Sequence, residues 1–288
     1  MLKTLRFIWT HPLNEQGRLS ALGRFFRWQI VSRLAPGRTK VPFVGETRLF
    51  MRKGMTGATG NYYCGLHEPD EMGFVLHLLR PGDLFLDVGA NIGSYSILAG
   101  GIGARVLSIE PIPETFRLLE DNVALNRLTH LVECRCLGIA DQSGMLKFTS
   151  GLDTMNHIID ENDVADGIEV PVETIDSILQ GRCPTLVKID VEGHEARALA
   201  GARTTLRDQR LQAIILETNG LSDRLGHGPA ELTETLREAG FAIHHYDAVQ
   251  RELRPGPRGN NSIFVRDADA IRDRLTSSRR HTIVNGSI

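Results

Sequence analysis

The chain has no apolar run long enough to cross a bilayer. A membrane-spanning helix needs roughly 18 uninterrupted apolar residues, and no stretch of the 288 residues reaches that length. A secretory leader is missing too, because Arg6, His11 and Asn14 break the apolar segment of a basic N-terminus. Both absences lead to the expectation of a cytoplasmic protein, on the inner side of any membrane. Cysteine is scarce: Cys64, Cys134, Cys136 and Cys183 are the four, and their spacing fits neither a zinc ribbon nor a thioredoxin-type pair. They read as reduced, buried thiols. Charge of one sign is not in excess either, with 33 Lys and Arg against 35 Asp and Glu, so no global field points to nucleic acid. Hydrophobic residues make up 41% and charged residues 24%, which excludes a disordered chain and fits a globular one. The length suits one large domain with additions, or two small ones.

Charge is nevertheless distributed unevenly. The first forty residues hold Lys3, Arg6, Arg18, Arg24, Arg27, Arg33, Arg38 and Lys40 against Glu15 alone, a net +7, which leaves −9 on the rest. Within that segment Leu22, Phe25, Phe26, Ile30, Val31 and Leu34 recur at helical spacing over residues 21–34. A basic helix of this kind either packs on the main domain with its arginines in water or lies on an anionic membrane surface. Peripheral membrane contact through residues 1–40 is therefore one expectation.

Residues 41–65 read as one or two short strands and a loop, and Pro69–Leu79 as a helix. From Asp83 onward strands and helices alternate, the pattern of a parallel sheet covered on both faces. The strands expected are Leu84–Val88, Arg105–Ile109, Val132–Ile139, Thr185–Asp190, Leu211–Glu217, Ala242–Tyr246 and Ser262–Val265. Helices are expected at Tyr95–Ala99, Glu114–Asn126, Glu195–Leu206 and Ala230–Ala239. Between Gly144 and Leu179 the alternation lapses, with Met145–Thr149 and Ile168–Val172 as short strands around a polar loop. The expected division is a basic helical extension over 1–60, one α/β domain over 61–266 and a polar tail over 267–288.

The densest chemical signal is Asp87-Val88-Gly89-Ala90-Asn91-Ile92-Gly93, between a buried strand and a helix. Glycines at such a turn let the backbone approach a ligand outside the carboxyl ends of the strands. Asp87 suits a ligand bearing an ammonium or sulfonium charge, and S-adenosylmethionine bears both. Glu110 ends the next strand, where a carboxylate can accept both hydroxyls of a ribose. Asp141 follows the third strand, where it can meet the exocyclic amine of adenine. Any one acid at a strand end is commonly a cap or turn residue; three at successive strand ends make a nucleoside pocket. Asn91 stands where a Gly-x-Gly-x-x-Gly fingerprint has its second glycine, which disfavours a dinucleotide.

A second cluster is Lys188-Ile189-Asp190-Val191-Glu192-Gly193-His194-Glu195, at the end of the fourth strand, with Glu217, Thr218 and Asn219 ending the fifth. Deprotonating a hydroxyl requires a base within hydrogen-bond reach, and Asp190, His194 and Glu217 are each eligible. Glu192 lies on the turn between them, and Lys188 either joins the chemistry or pairs with one of the acids. Asp190, Glu217 and Asn219 are also a hard-oxygen set for Mg²⁺, an option not favoured over a metal-free site. Walls for an acceptor are sought at Asn61 to Glu68, of which His67 and Glu68 precede the first helix of the α/β domain, and around Met155-Asn156-His157 in the polar loop.

These stretches together resemble the FkbM-type S-adenosylmethionine-dependent methyltransferases. The likeness runs from about Tyr62 to Val265 and includes Gly82-Asp83, the Asp87–Gly93 loop, Glu110-Pro111, Asn122 with Asn126, the run from Lys188 to Glu195, Gly201-Ala202 and Glu217. It implies a Rossmann-like class I methyltransferase fold, with a seven-strand, mostly parallel sheet whose last strand is antiparallel. It also implies S-adenosylmethionine as cofactor and O-methylation of a hydroxyl on a sugar, glycan or polyketide. On this resemblance Asp87, Gly89, Asn91 and Gly93 look like the loop at the methionine end, Glu110 like the ribose ligand and Asp141 like the adenine contact, while Asp190 to His194 lines the methyl-transfer site. Three rivals remain beside it: a non-catalytic adenosyl-ligand or glycan-binding module of the same fold, an NAD-dependent oxidoreductase, and a nucleic-acid methyltransferase. The last lacks its usual Asn-Pro-Pro-Tyr-like run at the end of strand four.

Overall fold

A computed structural model of the chain describes residues 1–34, 37–149, 158, 167–218 and 228–288. Asn156, His157 and Asn219 lie outside the described residues. Helices α1 (Leu2–Thr10) and α2 (Arg18–Leu34) come first, then the hairpin β1 (Thr39–Pro42) and β2 (Arg48–Met51), then α3 (Thr56–Cys64) and α4 (Pro69–Leu78). The alternating part follows as β3 (Leu84–Val88), α5 (Ser94–Gly101), β4 (Arg105–Ile109), α6 (Pro113–Leu125) and β5 (Val132–Arg135). Next come β6 (Gly138–Ile139), β7 (Gly144–Thr149), β8 (Gly167–Glu173) and α7 (Ile175–Leu179). The chain continues through β9 (Leu186–Ile189), α8 (Glu195–Ala200), α9 (Arg203–Arg207), β10 (Ala213–Glu217) and α10 (Pro229–Glu238). It closes with β11 (Ala242–Asp247), β12 (Glu252–Pro255), β13 (Asn261–Val265), α11 (Ala268–Ser277), β14 (Thr282–Ile283) and β15 (Gly286–Ser287).

The main sheet has the order β12-β11-β13-β10-β9-β3-β4-β5. Strands β5, β4, β3, β9 and β10 pair in parallel, and β13 runs antiparallel to both β10 and β11. The chain builds outward from β3 to β5, then returns to lay β9 on the other side of β3. That reversal opens a crevice at the carboxyl ends of β3 and β9, where open α/β sheets bind ligands. Strand residues alternate between two cores. Phe85, Val106 and Ile215 face the side packed by α4, α5 and α11; Leu86, Leu107 and Ile214 face the side packed by α8, α9 and α10. Every residue of β3 and β9 is buried, the pattern of strands covered on both faces.

The seven expected strands are present, and β12 adds an eighth at the edge as an antiparallel hairpin with β11. The expected strand Val132–Ile139 divides after Arg135, because β6 leaves the main sheet to join a three-stranded sheet of order β6-β8-β7. The expected helix Glu195–Leu206 breaks at Gly201, which lies so close to the carbonyl of Ala140 that a Cβ would sit 2.4 Å from its oxygen. Residues 56–64 are helical where a loop was expected. In α2 the apolar positions belong to two faces: Ala21, Phe25 and Trp28 are buried, whereas Phe26, Ile30 and Leu34 are exposed.

Residues 267–288, read as a polar tail, pack on the body of the protein. Asp267 caps α11 by accepting from the backbone of Asp269 and Ala270, both at 3.0 Å, and the helix buries Ile271 and Leu275. Asn285 donates to Asn14 Oδ1 at 2.8 Å and to the Cys64 carbonyl at 2.9 Å, which ties the two ends of the chain together.

Asn122 of α6 is fully buried; its Oδ1 accepts from Phe50 N at 2.7 Å and its Nδ2 donates to Ile92 O at 2.8 Å. It thereby fastens the β1–β2 hairpin to the turn after β3. Asn122→Ala leaves two backbone groups without partners, and a loss of about 3 kcal/mol is expected. Urea unfolding should show a lower midpoint with an unchanged slope.

Candidate active site

The crevice between β3 and β9 is a cavity of about 260 Å³ whose wall includes Gly89, Asn91, Glu110, Lys188, Asp190, Glu192 and Glu217. Gly89 has φ +75° and Asn91 φ +50°, so the chain turns sharply out of β3. A Cβ on Gly89 would lie 1.8 Å from the Asp190 carbonyl oxygen, while Asp190 N donates to Val88 O at 3.1 Å. The two strand ends are thus pressed into one unit. The glycine's first duty is to this contact between loops, where the sequence alone pointed to a ligand.

Glu110 is 5% exposed and lines the cavity at the end of β4. Its Oε2 accepts from Asn91 N at 2.9 Å and its Oε1 from Ile112 N at 3.0 Å. A carboxylate has about four acceptor positions, so two remain toward the cavity. Burial pushes the carboxyl up to about 7 against these two donors. Beside it the wall is apolar, formed by Ile109, Ile112, Ile139, Phe148 and Ile158. The last two come from the small sheet and its bridge, so Phe148 and Ile158 contribute this part of the wall.

At the other end stands one buried cation among acids. Lys188 Nζ is 2.7 Å from Asp190 Oδ2 and 4.9 Å from the centre of the Tyr95 ring. Burial alone would lower this ammonium, but Asp190, Asp87 and Glu68 raise it above the ordinary lysine value. Lys188 is therefore a fixed positive charge and not a proton acceptor. Tyr95 donates its hydroxyl to Glu68 Oε2 at 2.7 Å, and Asn261 donates to Glu68 Oε1 at 2.9 Å. One oxygen each of Asp190, Glu192 and Glu217 falls within 4.8 Å of the others. Burial, then Asp190 and Glu192, push Glu217 up to about 9. It holds a proton at neutral pH.

Of the other residues expected at the site, His67 and Glu68 line the cavity. Burial lowers the His67 imidazole against the opposing pull of Glu68. Asp87 is completely buried beneath the turn, outside the cavity wall, and accepts from Ser96 Oγ at 2.6 Å. Gly93 caps α5 from behind the wall, with Leu119 against it. Asp141 is not among the cavity-lining residues and pairs with Arg197 at 2.8 Å. His194 is 3% exposed at the start of α8 and does not line the cavity. Asn61, in the stretch Asn61 to Glu68 expected as a wall, also lines the cavity, and Tyr95 and Phe148 are wall residues that sequence reasoning did not single out. Only their places in expected elements pointed to them, and a helix or strand position does not say which side chain meets a cavity built by other elements.

A family model described as the methyltransferase FkbM domain matches residues 87–243. The chain is 30% identical over 186 residues to the hexuronic acid methyltransferase AglP of Haloferax volcanii, covering 60% of this chain and 69% of that protein. It is 27% identical over 201 residues to the 31-O-demethyl-FK506 methyltransferase FkbM of Streptomyces tacrolimicus, covering 57% and 75%. A solved SAM-dependent methyltransferase from Agrobacterium tumefaciens superposes with a TM-score of 0.47 at 12% identity, covering 80% of this chain and 70% of that one.

The proton on Glu217 has a measurable consequence. The unfolded chain releases it near the ordinary glutamate value, about 4.3, whereas the folded protein keeps it up to about 9. Across that interval the folded state binds the extra proton, so rising pH favours unfolding. Glu217→Gln keeps the shape of the neutral acid without the titration. Its melting temperature relative to wild type is expected to rise steadily between about pH 5 and about pH 9, and thermal scans at several pH values check this. A difference that does not change with pH contradicts the assignment.

Proposed function

The chain belongs to the family of FkbM-domain methyltransferases, and we propose that it moves a methyl group from S-adenosylmethionine to a hydroxyl of a sugar, a glycan or a related natural product. It is an S-adenosylmethionine-dependent methyltransferase. The finer reading, of acceptor class and residue roles, rests on one observation: Glu110 and Asp190 present carboxylates to one cavity across the reversal point of the sheet. The relatives' names point the same way, one to a hexuronic acid and the other to an oxygen of FK506. Nucleic acid has no part in this reading.

The residues fit the cofactor. Glu110 has acceptor positions to spare for a ribose diol, and its burial makes each hydrogen bond there worth more than in water. The apolar slot of Ile109, Ile112, Ile139 and Phe148 takes the adenine, with Asp141 committed to Arg197. The turn at Gly89 to Asn91 and the acids Asp190 and Glu68 face the methionine end, where negative charge favours a cation. When bound, S-adenosylmethionine supplies a methyl group on a positively charged sulfur, open to displacement by an oxygen.

Asp190 then takes the proton of the acceptor hydroxyl. Among the three bases the sequence made eligible, His194 is behind the wall and Glu217 already holds a proton, which leaves Asp190. Lys188 fixes the Asp190 carboxylate in place, and the Tyr95 ring holds Lys188 from the other side. Much of the rate comes from aligning the two reactants. His67 and Glu68 flank the acceptor. Asp190, Glu192 and Glu217 are the residues that would hold a divalent cation; the proton on Glu217 meets the same electrostatic demand, and the reading needs no metal.

Asp190→Asn is expected to lower kcat by about 10²–10⁴-fold with little change in affinity for S-adenosylhomocysteine. The check is release of S-adenosylhomocysteine in the presence of hexuronate, hexose-glycan and macrolide acceptors, wild type beside variant. Wild-type turnover retained by the variant contradicts the role.

A further inference from the structure

Nine large apolar side chains are exposed among the described residues, and seven of them lie within the first 34 positions; Met145 and Val249 are the other two. In α2 the exposed ones are Leu19, Phe26, Ile30 and Leu34. At about 100° per residue they form one stripe about 80° wide, opposite the buried face of Ala21, Phe25 and Trp28. Arg27 and Arg33 are exposed on its two flanks. In α1, Leu2 and Trp9 are exposed, and the Arg18 guanidinium stands 5.4 Å over the Trp9 ring where the two helices meet. Neither helix contains an acid, and Lys3 and Arg6 add exposed positive charge. Beside the stripe, Arg27 and Lys40 line a cleft of about 440 Å³ between α2 and β1.

An exposed apolar patch of this extent marks a binding surface. Its charge decides the occupant. Apolar and aromatic side chains interleaved with arginine and lysine, and no acid, match the boundary between lipid headgroups and acyl chains. A second copy of this chain would set the same positive charges against each other.

We propose that α1 and α2 dock the protein on an anionic lipid bilayer. The stripe enters the acyl boundary, Trp9 lies at its edge, and Arg18, Arg27, Arg33 and Lys3 meet the lipid phosphates. Helix α1 reaches the active site with its inner face: the partly buried Phe7 ring is 5.2 Å from the ring of His67, which lines the cavity. Docking of this kind leaves helix α1 between His67 and the membrane surface. The inference does not depend on the methyltransferase reading, since binding is measured without turnover.

The test is co-sedimentation of the full chain with phosphatidylcholine vesicles, with and without phosphatidylglycerol, alongside Trp9 fluorescence. Two variants accompany it, Phe26→Ser/Ile30→Ser/Leu34→Ser and Arg27→Glu/Arg33→Glu, all at exposed positions and both checked for unchanged melting. Wild type is expected to pellet with the anionic vesicles only, with a blue shift, and each variant to lower the partition coefficient by about tenfold or more. No pelleting at low salt, or binding that both variants leave intact, overturns the proposal. So does a wild-type dimer in light scattering that the serine variant abolishes, with no vesicle binding, because the face then belongs to a second copy.

Discussion

The contact between Gly89 and Asp190 is the constraint on which the site depends. The space a Cβ would need at position 89 is filled by the Asp190 carbonyl oxygen, 1.8 Å away. The turn after β3 and the turn after β9 therefore form a single surface, although a hundred residues separate them in the chain. One turn holds Asn91 against Glu110, and the other carries Asp190 and Glu192. Whatever ligand the first turn orients, the second turn is already in register with it. A site of this kind is preorganised by backbone packing, which costs no reorganisation at the moment of reaction.

Charge is arranged around that contact with the same economy. Among the described residues Lys188 is the single lysine or arginine on the cavity wall, and it stands among Asp87, Asp190 and Glu68. Isolated, any of these groups would be expelled from a buried position or neutralised. Together they sort into two kinds. Lys188 with Asp190 makes an ion pair facing the cavity, while Glu217, crowded by Asp190 and Glu192, is driven to keep its proton. Burial and neighbouring carboxylates thereby drive Glu217 toward its neutral form by environment alone.

Much of this was legible in the sequence, and the limits of legibility are physical. Alternating strands and helices give β3, β4, β9 and β10 nearly to the residue, because buried parallel strands are continuous apolar runs with sharp ends. Glu110 and Asp190 follow from their positions at such ends. Asp87, Asp141 and His194 have equally suggestive positions, yet Asp87 lies under the turn, Asp141 goes to Arg197 and His194 packs behind the wall. Within one or two residues of a tight turn, side-chain direction depends on backbone angles that spacing does not encode. The α2 stripe illustrates the other limit. Apolar periodicity revealed a helix, but two apolar faces overlap in one pattern, and only packing shows that Phe25 faces in while Phe26 faces out. The C-terminal residues read as polar because their few apolar members, Ile271, Leu275, Ile283 and Ile288, are thinly spread; each is buried against the rest of the protein.

The central claim is that the buried Glu110 carboxylate, aimed into the cavity from the end of β4, holds the adenosyl ligand. Calorimetric titration with S-adenosylhomocysteine, wild type beside Glu110→Ala, tests it most directly. One-site binding by the wild type and at least about tenfold weaker binding by the variant are expected, the effect of losing charge-assisted hydrogen bonds in a buried site. Equal affinity in the two proteins, or no binding by a folded wild type, would contradict it.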